Sequence, residues 1–299
     1  MKKLIVSMIN VLLIHTLICQ TNQYRIYNDL SYLSKEDISV DSLQKLNLVL
    51  PERTDKYPLL IWIGGGAWSY VDRHQEMDFA RKLATKGIGV ASIGHRLSPA
   101  IWRDPSLNKG VQHPRHIEDL AASIKWLYQN ADKYGYDEEG LFVGGYSSGG
   151  HLAALIYLDS TYLTQIGLTH RILKGMIPIS GTYDIVNYHK VLLNSERSEL
   201  AKQHVEAVFG SKSEDHKKAS PTNYLQNLSI PVLLISDNNV YNYSKLFEEK
   251  VRATEFRNMQ VVYAYDLSHG ELWRDLSFSE NSIYRTIIVD FIEAKAGNG

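Results

Sequence analysis

The stretch LFVGGYSSGGHLAAL, residues 141–155, leaves an apolar run through glycine, sets a serine in the bend and follows it with more glycine before a helix-like segment. Gly145, Tyr146, Ser147, Ser148 and Gly149 match Gly-x-Ser-x-Gly between a predicted strand and a predicted helix, which is the context that gives this pattern meaning. A side chain on either flank of so sharp a bend would collide with strand or helix, so glycine stands on both sides. Ser147 then projects from the top of a sheet as a nucleophile. The backbone N–H of Ser148 opens the next helix, where the helix dipole favours developing negative charge.

A serine hydroxyl does not ionise unaided at neutral pH; it needs a base, and the base needs a partner that fixes its tautomer. His269, in LSHGELW after the predicted strand MQVVYAYD, is the expected base, lying in a loop before the last helix. Asp237 ends the predicted strand IPVLLISD between the serine and the histidine, and the order Ser147, Asp237, His269 suits a sheet of this type. Asp266, three positions before His269, is the rival acid and lies too near in the same turn to approach the ring from behind. For the tetrahedral oxyanion, Gly65, Gly66 and Ala67 in IWIGGGAWSY follow a strand and offer bare N–H groups, to which Ser148 adds its own. No metal and no organic cofactor is expected. His151, one turn into the helix after Ser147, is read as packing or capping, and His113 with His116 as flanking a helix start.

These residues need a scaffold. YPLLIWIG (57–64) has a buried-strand pattern, DFARKLATKG (78–87) a helix ending at Gly87, and IGVASIGHRL (88–97) another strand. A polar excursion to residue 112 precedes HPRHIEDLAASIKWLYQNADKYG, a helix with Pro114 near its first turn and Leu120, Ile124 and Leu127 along one stripe. The alternation continues through strands at LKGMIPISG, IPVLLISD and MQVVYAYD and helices at YSKLFEEKVRAT and NSIYRTIIVDFIEA. This predicts an α/β fold, a mostly parallel sheet with helices on both faces, whose chemistry sits beyond the carboxyl ends of the strands. No repeat or linker divides residues 20–299, which are read as one domain.

With 44% hydrophobic and 22% charged residues among 299, the composition is globular, and a net charge of −1 gives no footprint for nucleic acid or an anionic membrane surface. Lys2 and Lys3, the apolar run Leu4–Ile18 and the polar Gln20, Thr21 and Asn22 have the layout of a secretory signal over residues 1–19. The run of about 15 residues is shorter than the roughly 20 that a membrane-spanning helix needs. Export is therefore expected, to the periplasm or outside, with a lipid on Cys19 as the competing reading. Cys19 is the sole cysteine, so the chain forms no internal disulfide.

Across about residues 45–295 the chain resembles the α/β-hydrolase family, in its carboxylesterase and kynurenine formamidase-like branch with a His-Gly-Gly-x-Trp loop. The elbow GGYSSGGHLAAL and the segments GHRLSP, IPISGTYD and ASPTNY carry the likeness. The resemblance implies Ser147 as nucleophile, His269 as base and Asp237 as its orienting acid. Two departures stand out. Aligning on Trp68 puts Gly64 where relatives have a loop-bracing histidine, and ISDNNVY is a shorter turn than relatives have before the acid. Residues 182–220 are read as a small partial cap, with Trp68, Tyr146, Tyr183 and Tyr188 as pocket walls. The expected activity is hydrolysis of small-molecule or polysaccharide-linked carboxylic esters through an acyl-enzyme. The alternatives are an aryl formamidase and a catalytically silent binding module.

Overall fold

A computed structural model describes residues 23–33 and 43–297; the predicted signal segment and Cys19 lie outside these. Eight strands form one sheet: β1 (Tyr24–Ser31), β2 (Lys45–Pro51), β3 (Leu59–Ile63), β4 (Gly89–Ile93), β5 (Leu141–Tyr146), β6 (Leu173–Ile179), β7 (Val232–Asp237) and β8 (Met259–Ala264), in the order β1-β2-β4-β3-β5-β6-β7-β8. From β4 to β8 every pairing is parallel, whereas β1–β2 and β2–β4 are antiparallel. The helices are α1 (Met77–Ala84), α2 (Arg115–Tyr134), α3 (Ser148–Leu158), α4 (Thr161–Gln165), α5 (Ile185–Leu193), α6 (Ala207–Phe209), α7 (Ser213–Lys218), α8 (Tyr241–Arg252), α9 (His269–Phe278) and α10 (Ile283–Ala296).

The predicted strands of the parallel part fall where the apolar runs place them. They are buried on both faces, which is why they read as continuous rather than alternating apolar runs. Side chains still alternate: Leu59, Ile61 and Ile63 of β3 pack with α2, α3 and α8, while Leu60 and Trp62 pack with α1, α9 and α10. Two cores, one per face, clamp the sheet. The antiparallel pair β1 and β2 extends one edge and was not among the expected strands.

α2 begins at Arg115 and ends at Gly135 in the left-handed conformation (φ 88°), the usual stop for a helix. α1 is shorter than its sequence pattern, ending at Ala84 rather than Gly87. A further helix, α9, starts at His269 itself, so the predicted base stands on a helix N-terminus and not in a loop. Ser268 and Glu271 form a capping box there, each side chain satisfying a backbone N–H of the other's turn.

Candidate active site

The elbow between β5 and α3 is as tight as its glycines require. Ser147 sits at φ 56°, ψ −118°, a conformation rare for a residue with a side chain. A Cβ on Gly149 would lie 2.0 Å from the Ile63 carbonyl oxygen, and one on Gly145 2.5 Å from the Gly149 backbone. No other residue fits either position. The Ser147 N–H donates to the Ile179 carbonyl at 2.8 Å and its carbonyl accepts from His151 N–H at 3.1 Å, so the strained residue is held from β6 and α3 at once.

Three crossovers of the sheet bring the polar side chains together. Ser147 Oγ lies 2.9 Å from His269 Nε2, and His269 Nδ1 lies 2.7 Å from Asp237 Oδ2. These contacts fix the tautomer: Nδ1–H donates to Asp237, leaving Nε2 to accept from the Ser147 hydroxyl. The His269 N–H donates to Asn239 Oδ1 at 2.7 Å, and Tyr146 lies under the imidazole with 4.9 Å between ring centroids, its hydroxyl donating to the His269 carbonyl. The imidazole is thus fixed by ring, backbone and carboxylate. Asp266, the rival acid, is exposed and makes no such contact.

Asp237 is 1% exposed. Burial pushes its carboxyl up, but hydrogen bonds from His269 and Ser180, the attraction of His269 and the Asn239 N–H together outweigh burial and hold it below the ordinary carboxylate range. Its Oδ1 accepts from the N–H groups of Asn239 (2.8 Å) and Val240 (3.2 Å). The short turn after β7 therefore does what a longer one would, by folding its own amides onto the acid. Ordinary carboxylate character at neutral pH follows.

Beyond β3 the glycine-rich loop bends through Ala67 (φ 50°) and Trp68 (φ 57°), with Ser69 and Tyr70 N–H groups both donating to the Gly66 carbonyl. The N–H groups of Gly65, Gly66, Ala67 and Ser148 make no hydrogen bond to another described residue. Trp68 is buried, and its indole N–H donates to His151 Nδ1 at 3.2 Å while His151 Nε2 contacts the Ala219 carbonyl at 2.7 Å. His151 packs, as its place in the helix suggests, and it also ties the loop down. At Gly64 the space is filled from outside the loop: a Cβ there would lie 2.8 Å from Glu76 Oε1. Glu76 is 3% exposed and accepts from Trp62 Nε1 (2.7 Å) and Trp273 Nε1 (3.3 Å), and burial pushes its carboxyl up to about 6.

Two clefts flank Ser147. The first, of about 280 Å³, is walled by Trp68, Trp102, Tyr188, His204 and Tyr243 and reaches Ser147, Ser148, Ala67 and His269. The second, of about 210 Å³, lies on the side of Gly65 and Gly66, with Tyr146, Glu76 and Trp273. Trp68, Tyr146 and Tyr188 line them, but Tyr183 does not. It is fully buried behind the site, stacked on Phe247 at 4.6 Å, with its hydroxyl accepting from Gly181 N–H at 3.1 Å. Position at a strand end did not say which way that ring would turn. Trp102, His204, Tyr243 and Glu76 carry no motif in the sequence, and Leu200 and His204 reach the first cleft from the segment expected to be a cap.

A mostly parallel sheet with a strained serine after β5, a carboxylate after β7 and a histidine after β8 defines an α/β-hydrolase. Solved structures agree: esterase B from Lactobacillus rhamnosis, in an inhibited form, superposes with a TM-score of 0.75 over 93% of this chain and 89% of that one, at 22% identity. The chain belongs to the BD-FAE family, whose model matches residues 46–251. Among curated relatives it is similar to Esterase LipC from Mycobacterium tuberculosis, 33% identical over 136 residues covering 44% of this chain. It is also similar to kynurenine formamidase from Danio rerio, 24% identical over 227 residues covering 74% of this chain. The matches span 31% of the first relative and 68% of the second. Among the described residues, no helix is long and apolar enough to cross a membrane.

Proposed function

We propose that the protein is a serine carboxylic ester hydrolase. The observation that carries this reading is the line of hydrogen bonds from Ser147 Oγ through His269 to the buried Asp237, ending beside unbonded N–H groups. As the Ser147 oxygen attacks the ester carbonyl carbon, its proton passes to His269 Nε2, and Asp237 stabilises the imidazolium through Nδ1–H. The carbonyl π pair moves onto oxygen, where N–H groups from Gly65, Gly66 or Ala67 and from Ser148 receive the charge; one such donor is worth about two to three orders of magnitude in rate. The tetrahedral adduct collapses, the carbon–oxygen bond to the alcohol breaks, and His269 returns the proton to the leaving oxygen. Water then repeats the sequence on the acyl-enzyme and releases the acid.

The basic residues and short apolar run at the N-terminus support export, and an exported esterase suits small acyl or polysaccharide-linked esters. A formamidase reading has one specific support, the likeness to a kynurenine formamidase. The same residues would cleave a formyl amide if His269 protonated the leaving amine. Hydrolysis of p-nitrophenyl acetate, butyrate and octanoate, beside an N-formyl aryl amide and beside Ser147→Ala, tests both. Ester turnover that disappears in the variant is the expected result. Turnover of the formamide alone would replace the ester reading, and turnover that survives in Ser147→Ala would remove the serine mechanism.

A further inference from the structure

The first cleft is unusual in what its walls leave unspent. Ser148 Oγ, Thr182 Oγ1, His204 Nδ1 and Trp102 Nε1 are buried atoms that make no hydrogen bond to a described residue, and all four residues line this one cleft. Thr182 is 9% exposed and His204 7%. Buried polar atoms are ordinarily paired, because water or a partner must offset their desolvation. Here four of them belong to residues that wall one cleft beside Ser147, and three of these, Trp102, Thr182 and His204, come from separate parts of the chain outside the Ser147 elbow.

The surrounding rings hold them in place. His204 is a hub, with centroids 5.4 Å from Trp102, 5.7 Å from Trp68 and 5.9 Å from Tyr188, and Tyr188 meets Tyr243 at 5.3 Å. Burial pulls the His204 imidazole down to about 4, so at neutral pH it is uncharged. His204 therefore brings a polar but uncharged group to the cleft, whose lining also includes the cationic Arg197. An indole N–H only donates, so Trp102 requires an acceptor, while a hydroxyl and a neutral imidazole each offer both roles. A plain alkyl chain would satisfy the aromatic walls and leave all three atoms unpaired. An ether oxygen, with two lone pairs, would accept from Trp102 Nε1–H and from one of the other two.

Resting on the esterase reading above, we propose that this cleft is a subsite for an oxygen-bearing arm of the ester, and that Trp102, Thr182 and His204 select such an arm over an alkyl chain of equal size. A site built to hydrogen-bond a substrate oxygen rejects the analogue that lacks it more strongly than an apolar pocket rejects a misfit. The three are specificity residues, separate from the serine, histidine and aspartate that carry out the bond changes.

Isosteric pairs test this. On the acyl arm, p-nitrophenyl 3-methoxypropanoate is compared with p-nitrophenyl pentanoate; on the alcohol arm, 2-methoxyethyl acetate is compared with butyl acetate. Each kcat/KM ratio is divided by the ratio of alkaline hydrolysis rates, which removes intrinsic reactivity. The expected result is a preference of about 10-fold for the ether member in one pair, roughly one hydrogen bond's worth. The preference should fall towards unity in His204→Phe, and also in Thr182→Val and Trp102→Phe, which keep shape and guard against a single variant that fails to fold. A corrected ratio of one in both pairs, or a preference unchanged in all three variants, overturns the proposal. Should no ester be turned over, the same four esters are titrated against Ser147→Ala by fluorescence of Trp68 and Trp102. Tighter binding of an ether member, lost in Ser147→Ala/His204→Phe, upholds the subsite without the esterase reading; equal binding or none overturns it.

Discussion

Glu76 shows how one buried side chain can fill the space beside a glycine and tie two elements together. The space beside Gly64 is occupied by the Glu76 carboxylate, which links Trp62 on β3 to Trp273 on α9. Nothing in the spacing of Gly64 and Glu76 signals this, because the contact depends on the fold returning the start of α1 to the end of β3. Burial raises the carboxyl from 4.5 to about 6, so the folded protein holds this proton more tightly than the unfolded chain does. Its contribution to stability is thus full below pH 4.5 and lost as pH rises through 6, a difference of about 2 kcal/mol. Glu76→Gln should therefore gain on the wild type by about 1 kcal/mol between pH 5 and pH 7.5, read as the change in the difference between their urea-unfolding free energies. Parallel curves for the two proteins would show that the carboxyl is not titrating in that window. By contrast Ser147, His269 and Asp237 were legible from the sequence, since a strand-end serine, acid and histidine in that order have few ways to be arranged by a parallel sheet. Tyr183 was not, because the direction of a ring is set by packing.

At the scale of single elements, α9 carries more than its sequence suggests. HGELWRDLSF is short and only weakly striped, so it read as loop, yet the capping box of Ser268 and Glu271 makes its first turn rigid just where His269 stands. Loss of a cap costs about 0.5–2 kcal/mol. Here it would also loosen the base. Glu271→Ala is expected to lower kcat several-fold with little change in KM, since the carboxylate touches no cleft, while lowering the melting temperature by a few degrees. A fall in KM-linked binding instead would mean that α9 shapes the pocket rather than the base. The strands of the parallel part were legible because burial on both faces leaves an uninterrupted apolar run. β1 and β2 were less so: β1 is largely half-buried or exposed, and its pattern YRIYNDLS carries polar residues throughout.

Over the whole molecule, histidines are distributed in a way that makes the fold sensitive to acid. Burial pulls His113 and His204 down to about 4 and His151 to about 3, and it also lowers His95 and His116. All are held below their unfolded value of 6.5, so their contribution is present above pH 6.5 and lost as pH falls towards 4. For His113 or His204 alone this is about 3 kcal/mol. Set against a total of about 5–15 kcal/mol for a domain, and against the smaller opposite effect of Glu76, the histidines prevail. Melting temperature should fall steeply between pH 6.5 and 4.5, and replacement of His204 by Phe should make the slope shallower. A flat profile over that range would mean that these imidazoles are protonated in the folded state. The architecture as a whole was readable from alternating strands and helices, but the two clefts were not, because their walls come from helices and loops far apart in sequence that only the fold brings together. One consequence concerns measurement. Ser147 meets His269 across 122 positions of chain, and the N–H donors stand on yet another crossover. A molecule with any of these crossovers undocked has no assembled nucleophile. On the esterase reading, p-nitrophenol released from a p-nitrophenyl ester during refolding would therefore count only molecules in which every one of these crossovers is seated.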